Sequence, residues 1–294
     1  DVYKRQLVVF SQKLEKKASL DIHHQWLEEA YTLTKNCVGF SAPVSGRAYG
    51  YFSIGMYESA VEVIPELKSL SGQLDGYNRQ TWSDQTEKLN WQLVANSVDY
   101  EMLCYFYRGM PPANRERIDR INDSIIKTHK SCFTKKKSID YGKQIAQEII
   151  EWSKSDGGDK GFEDNYPDSY VPPKGISKWT KTTPGYLPSL LPYWGSNRPF
   201  LKGSAEVTTD CELFEFSTDS NSFMYNEAIQ VLENAKLSDP KYEAIAEYWD
   251  DGAGYSGTPS GHFFTMAMQL TKKEDKPLDV CLLYTSPSPR DSFR

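Results

Sequence analysis

The sequence predicts an all-α fold, on three observations. Apolar residues recur at helical spacing in segment after segment, helix-opening and helix-closing residues stand at the ends of those segments, and no stretch alternates as a strand ladder would. The chain of 294 residues, 39% hydrophobic and 13% aromatic, is long enough to bury a sizeable helical core. One segment departs from the pattern. Between Tyr166 and Phe200 seven prolines interleave with seven aromatic residues, which excludes helix and central strand and predicts a long extended connection pinned to the helical body by its rings.

In chain order, Leu7 to Leu33 carries Leu14, Leu20, Trp26, Leu27 and Tyr31 among charges and predicts one or two amphipathic helices. Within it His23 and His24 are adjacent, so on a helix they project about 100° apart and are poorly placed to hold one metal ion. From Ser41 to Ala60, Arg47, Tyr51, Ile54 and Glu58 share one helical side, while Gly46, Gly50, Ser53 and Gly55 let a neighbour approach closely. A tightly packed internal helix is expected there. Arg47 and Glu58 lie about three turns apart, and a structural cap or buried pair is expected of them rather than catalysis.

Trp91 to Phe106 has an apolar stripe of Trp91, Val94, Ala95, Val98, Met102 and Tyr105, and Met110-Pro111-Pro112 breaks it. Arg115 to Lys130 and Ser138 to Trp152 predict two more amphipathic helices, and Ser222 to Ala235 a further one. Between them, Ser153 to Glu163 is an acidic glycine-bearing loop. Its Asp156, Asp159 and Glu163, with Asp164, lack the alternating ligand spacing of a calcium loop.

The last informative stretch is Leu237 to Leu270. Asp239 is placed to cap a helix that Pro240 opens, with Tyr242, Ile245, Ala246 and Trp249 on one face. The loop Asp250 to Pro259 ends it, and Gly261-His262-Phe263-Phe264 starts a second apolar helix carrying Met266, Met268 and Leu270. Asp250, Asp251 and His262 around a glycine loop form a candidate site.

Composition narrows the classes. A net charge of −6 without a basic patch argues against nucleic acid as a partner, because phosphate neutralisation needs clustered Lys and Arg; Lys135, Lys136 and Lys137 read as a solvated helix flank. No apolar run approaches the roughly 20 residues of a membrane span. Cys37, Cys104, Cys132 and Cys211 show no paired spacing for zinc or redox work, so buried free thiols are expected. The ends stand apart from the rest. Asp1 to Gln6 can be encoded by GATGTGTATAAGAGACAG, and the reverse complement of that string, read one base out of frame, gives the residues of Cys281 to Ser286. Residues 1–6 and 280–294 are therefore expected to be translated library adapter, and 7–279 the N-terminal part of one helical domain, an internal fragment of a longer protein.

Several stretches resemble bacterial members of the superfamily of vanadium-dependent haloperoxidases and type 2 phosphatidic acid phosphatases. The helix Ser41 to Ala60 follows the family pattern through Ser41, Pro43, Ser45, Arg47, Ala48, Tyr51, Ile54, Tyr57, Glu58 and Ala60, and Lys68 to Leu74 fits its K-S-L-x-G-Q-L connection. Leu191 to Phe200 fits P-x-W-G-x-x-R-P-F, Ser222 to Val231 is similar to S-x-[FY]-Y-x-x-A-x-E-V apart from Met224 and Gln230, and Ile245 to Asp251 fits I-A-x-[FY]-W-x-D before a proline-glycine-histidine helix start. The resemblance implies a helical haloperoxidase-like domain and a compartment outside the cytoplasm, periplasmic or secreted.

It also implies a site for a tetrahedral oxyanion, vanadate or phosphate, carried by Lys with Arg-Pro, Pro-Ser-Gly-His, and Ser-Arg with a second His. The small substrates would be halide and peroxide, or a phosphoester. Pro259-Ser260-Gly261-His262 matches the central motif letter for letter, yet no Lys and Arg-Pro precede it at the family spacing. It is expected to be the earlier glycine-histidine helix start, a decoy, with every vanadate ligand and catalytic residue lying beyond Asp279. Asp250 or Asp251 would then buttress one of the absent arginines. The expected function is the N-terminal portion of a vanadium-dependent haloperoxidase-like enzyme. The alternatives are an acid phosphatase of the same superfamily, or a non-enzymatic helical protein that binds glycans through the Tyr166 to Phe200 aromatics.

Overall fold

The structure is a computed structural model, and it describes residues 21–64, 67–84, 88–129, 132–204, 214–237 and 239–273. The terminal segments expected to be adapter, with Leu14, Leu20 and Cys211, lie outside the described residues. Helix α1 is described over 21–36. It is followed by α2 (Ala42–Ala60), α3 (Trp91–Phe106), α4 (Pro112–Thr128), α5 (Cys132–Lys154), α6 (Phe223–Ala235), α7 (Pro240–Tyr248) and α8 (Thr258–Lys273), with one short 3-10 turn at Trp194–Ser196. Among the described residues the only β feature is an isolated bridge between Ala253 and Ser256. The fold is all-α, as its apolar spacing predicts.

Local chemistry sets three of the helix starts. The side chain of Asn90 accepts from the Leu93 amide, that of Ser222 from Tyr225, and that of Asp239 from Lys241. Each cap satisfies an orphan donor, worth about 1 kcal/mol. Three helix starts differ from the sequence reading. Pro112 opens α4 instead of ending the break before it, since a first-turn proline has no amide to lose; α5 begins at Cys132 rather than near Ser138, and α8 at Thr258 rather than at Gly261.

Helix α2 lies at the centre, packed by α3, α5 and α8. Its Tyr49, Tyr51, Phe52 and Met56 are buried, and they join Trp26 and Leu33 of α1, Val98 and Met102 of α3, and Ile145 and Ile149 of α5 in one core. Full burial of each such side chain contributes about 1.5–3 kcal/mol. Small residues make the close approach possible. A Cβ on Gly142 of α5 would stand 2.5 Å from the Val94 carbonyl of α3, and one on Gly50 of α2 would stand 2.6 Å from the Phe200 ring.

A helix buried on all sides must compensate its own charges. Glu58 is sealed from solvent and faces Arg79, whose Nη1 donates to Glu58 Oε2 at 2.9 Å; Nη2 reaches Glu62 at 2.8 Å and the Tyr141 hydroxyl at 2.9 Å. Glu58 also accepts from the Leu70 amide at 2.7 Å and from Ser69. Arg47 pairs with Asp156 at 2.7 Å and donates to the Ser153 carbonyl at 2.8 Å. Arg47 and Glu58 are thus both structural, as their spacing suggests, but each pairs with a distant loop and not with the other.

The proline-rich connection is pinned only at its end. Leu191, Trp194 and Phe200 pack on the core, with Phe200 edge-on to Tyr51 at 4.9 Å. Arg198 lies over Trp152 at 4.6 Å and donates to the carbonyls of Asp75 and Trp152 at 2.6 and 3.0 Å. Tyr166, Trp179, Tyr186 and Tyr193 stay exposed, contrary to the expectation that all the rings pin the segment. Only the last stretch meets a notch, at Gly50, and an arginine anchor. The apolar faces predicted for α6 and α7 are likewise exposed among the described residues, with Val231 at 71%, Tyr242 at 58% and Trp249 at 58%.

Replacing Glu58 or Arg79 by Ala leaves its partner charged and buried, so a loss of about 3–5 kcal/mol is expected in urea unfolding. Glu151→Ala, which breaks the exposed contact to Lys154, should leave the midpoint unchanged.

Candidate functional site

The junction of α7 and α8 brings two sequence-selected residues together. His262 Nδ1 lies 2.9 and 3.1 Å from the two carboxylate oxygens of Asp251. Trp249 stacks on the imidazole, with centroids 5.5 Å apart and planes 12° apart, and Tyr248 meets it edge-on at 6.1 Å. Both paired side chains are mostly covered, His262 19% and Asp251 12% exposed. Asp250 is used differently. Its Oδ1 accepts from the Gly252 amide at 3.1 Å, which closes the turn after α7.

The start of α8 is held hard against α2. The Ser45 and Thr258 hydroxyls share a 2.5 Å hydrogen bond, and Thr258 is fully buried with φ at +65°, a backbone angle that surrounding contacts must impose. A Cβ on Gly257 would stand 2.4 Å from the Tyr31 ring, and one on Gly261 2.7 Å from the Tyr49 hydroxyl. Phe264 then packs on Tyr49 with centroids 4.8 Å apart and planes tilted by 31°, and with Ala267 and Met268 forms the buried face of α8. The Pro-Ser-Gly-His run is therefore a helix docking element whose glycine is needed for packing.

Chemically, a neutral His262 bonded to a carboxylate carries its proton on Nδ1, which leaves the Nε2 lone pair free to accept a proton. The described residues do not surround it with cations. No lysine or arginine is paired with Asp250, Asp251 or His262, and Lys272 of the same helix pairs with Glu28. The two carboxylates disfavour an anion here, so the donor set does not fit vanadate or phosphate. Among the described residues no group of His, Cys, Asp and Glu is arranged to hold a metal ion, and no helix is long and apolar enough to cross a membrane.

A second histidine constellation is hidden in the core. His23 Nδ1 is 2.6 Å from Asp99 Oδ2, and His23 Nε2 is 3.5 Å from the Ser59 hydroxyl. The order Ser, His, Asp has the topology of a nucleophilic triad, but all three are buried, and Ser59 already donates to the Met56 carbonyl at 2.7 Å. Sealed from substrate, it orders α1 against α2 and α3. Burial raises the Asp99 pKa, and the charge of His23 opposes the shift. His24 is also buried, and desolvation, then the charges of Lys272 and His23, lowers its pKa from 6.5 to about 4. Burial also raises Cys37 and Cys104, free thiols, to about 11, so neither is an activated nucleophile.

The acidic loop spends its carboxylates on arginines. Asp156 meets Arg47 and the Gly158 amide at 2.7 Å, while Asp159 accepts from Tyr105 at 2.9 Å and lies 3.2 Å from Arg108. Sequence reasoning missed Arg79, Asp99 and Asp156 as partners, because nothing local marks a residue whose contact is dozens of positions away. Arg198 carried a usable signal, its place in the W-G-x-x-R-P-F run.

No protein-family model matches the chain, and no curated protein does. Among solved structures the fold is similar to the crystal structure of the first bacterial vanadium-dependent iodoperoxidase, with a TM-score of 0.75 and 23% identity over 91% of this chain. The fold is haloperoxidase-like. The chain spans 65% of the length of that protein.

Two outcomes follow from the histidines. Asp251→Asn should mix the His262 tautomers, visible in long-range proton–nitrogen spectra at pH 8 as loss of a single Nδ1-protonated form. For His24, the unfolded chain binds a proton near pH 6.5 that the folded chain refuses until about 4, so stability falls as pH drops through that window. The stability difference between wild type and His24→Gln should be flat above pH 6.5 and shrink toward pH 4.

Proposed function

We propose that this chain is the N-terminal helical scaffold of a vanadium-dependent haloperoxidase-like enzyme, in which vanadate-bound peroxide oxidises halide. The observation that carries the reading is the likeness of 91% of the chain to a vanadium-dependent iodoperoxidase. Bound vanadate would supply the activation of peroxide toward halide. The described residues at the α7–α8 junction do not fit that group. The oxyanion ligands belong, on this reading, to polypeptide beyond Asp279, with 1–6 and 280–294 being adapter.

Two further observations support the reading. The apolar faces of α6 and α7 are uncovered, and burying Tyr242, Ile245 and Trp249 under another helical layer would recover about 1.5–3 kcal/mol per side chain. The Asp251 carboxylate has lone pairs beyond those used by His262, so it can also accept from a guanidinium brought to the same junction. Asp251 is accordingly the better of the two aspartates for the buttressing role, since Asp250 closes its own turn.

Sequencing the source DNA past codon 279 tests the reading directly. Lys with Arg-Pro, Pro-Ser-Gly-His, and Ser-Arg with a second His are expected downstream, and a frame that runs on without them overturns it. The 294-residue chain, with vanadate, iodide and hydrogen peroxide, should form no triiodide, whereas the extended protein should. Hydrolysis of p-nitrophenyl phosphate by the extended protein without halide oxidation would move the assignment to the phosphatase branch.

A further inference from the structure

In the segment 166–192 exposed rings face outward around a hollow. Tyr166, Tyr170, Trp179 and Tyr186 line a cleft of about 670 Å³, and five prolines contribute to the remaining wall. Trp179 and Tyr186 are each at least half exposed. The wall is preorganised. Proline fixes its own backbone, Tyr170 is held edge-on to Tyr193 at 5.5 Å, and the Tyr186 amide donates to the Thr182 carbonyl at 2.9 Å. Tyr186 also sits at φ +45°, a left-handed angle that costs energy for a residue with a side chain. A stiff wall with exposed rings binds without the entropy loss of ordering a loop.

The charge of this segment runs against the rest of the molecule. Between positions 166 and 192 stand Lys174, Lys178 and Lys181 against the single acid Asp168, in a chain of net charge −6. All three lysines are exposed, and none has an ion-pair partner among the described residues. No charged side chain lines the cleft itself, where the polar side chains other than the ring substituents are the hydroxyls of Thr182, Thr183 and Ser189.

We propose that this cleft binds an acidic polysaccharide, with pyranose rings stacked on Trp179 and Tyr186 and uronate carboxylates facing Lys174, Lys178 and Lys181. Three features select that ligand. Aromatic faces take the apolar side of a sugar ring, and threonine and serine hydroxyls serve sugar hydroxyls as both donor and acceptor. The lysines supply the charge complement that a neutral glycan or a proline-rich peptide would leave unused. A single-stranded nucleic acid also combines rings with negative charge, but it needs a basic groove along its backbone, and three lysines in a chain of net charge −6 do not make one. The inference is independent of the proposed halide chemistry, because it uses none of the residues at the α7–α8 junction.

Calorimetry with the full chain at low ionic strength tests it, using hexagalacturonate, the neutral sugar maltohexaose and an oligothymidylate as probes. Hexagalacturonate should bind, maltohexaose about tenfold more weakly, and Trp179→Ala should weaken hexagalacturonate by about tenfold. Lys178→Gln with Lys181→Gln should remove most of the salt dependence. This exposed pair decides the matter if Trp179→Ala fails to fold. Absence of hexagalacturonate binding, binding unchanged in both variants, or tighter binding of oligothymidylate would overturn the proposal. So would sedimentation showing a dimer that Trp179→Ala dissolves, since the occupant would then be a second copy of the chain.

Discussion

The structure depends on a constraint that α2 imposes. This helix runs through the middle of the protein carrying Arg47 and Glu58, and a charge removed from water must find its opposite or destabilise the fold by several kcal/mol. Glu58 draws in Arg79, and with it the loop around Ser69 and Leu70. Arg47 draws in Asp156 and the end of α5. Buried ion pairs add little net stability over apolar packing, but they are costly to break, and here they specify which loops close over which end of the helix.

The same helix organises the rest by shape. Gly50 admits Phe200, which brings Arg198 over Trp152 and anchors the end of the proline-rich connection. On another side Ser45 and Tyr49 receive Thr258, Gly261 and Phe264, so the start of α8 is a consequence of α2 packing. His262 inherits its position from that docking. Its orientation comes from Asp251 and Trp249, at the end of a helix whose own apolar face is left open.

Burial is thus uneven. Helices α1 to α5 form a dry core in which even His23, Asp99 and Ser59 are sealed. By contrast α6, α7 and the segment 166–192 expose large apolar and aromatic residues. Exposed surface of this kind marks places where something else packs or binds. The two regions differ in chemistry, aliphatic and aromatic on two helices in one case, and rings with hydroxyls and lysines in the other.

The sequence by itself determined the helical class, most of the helix bounds, the cap at Asp239, the break by proline between 166 and 200, and the small-residue helix α2. Those features are local: periodicity, capping and proline geometry act within a few residues of their cause. Tertiary structure alone decided that Arg47 pairs with Asp156 and Glu58 with Arg79, that only Leu191 to Phe200 meets the core, and that Asp251 rather than Asp250 orients His262. Partner choice between distant charges depends on which surfaces the packed helices bring within 3 Å, and spacing along the chain does not carry that distance.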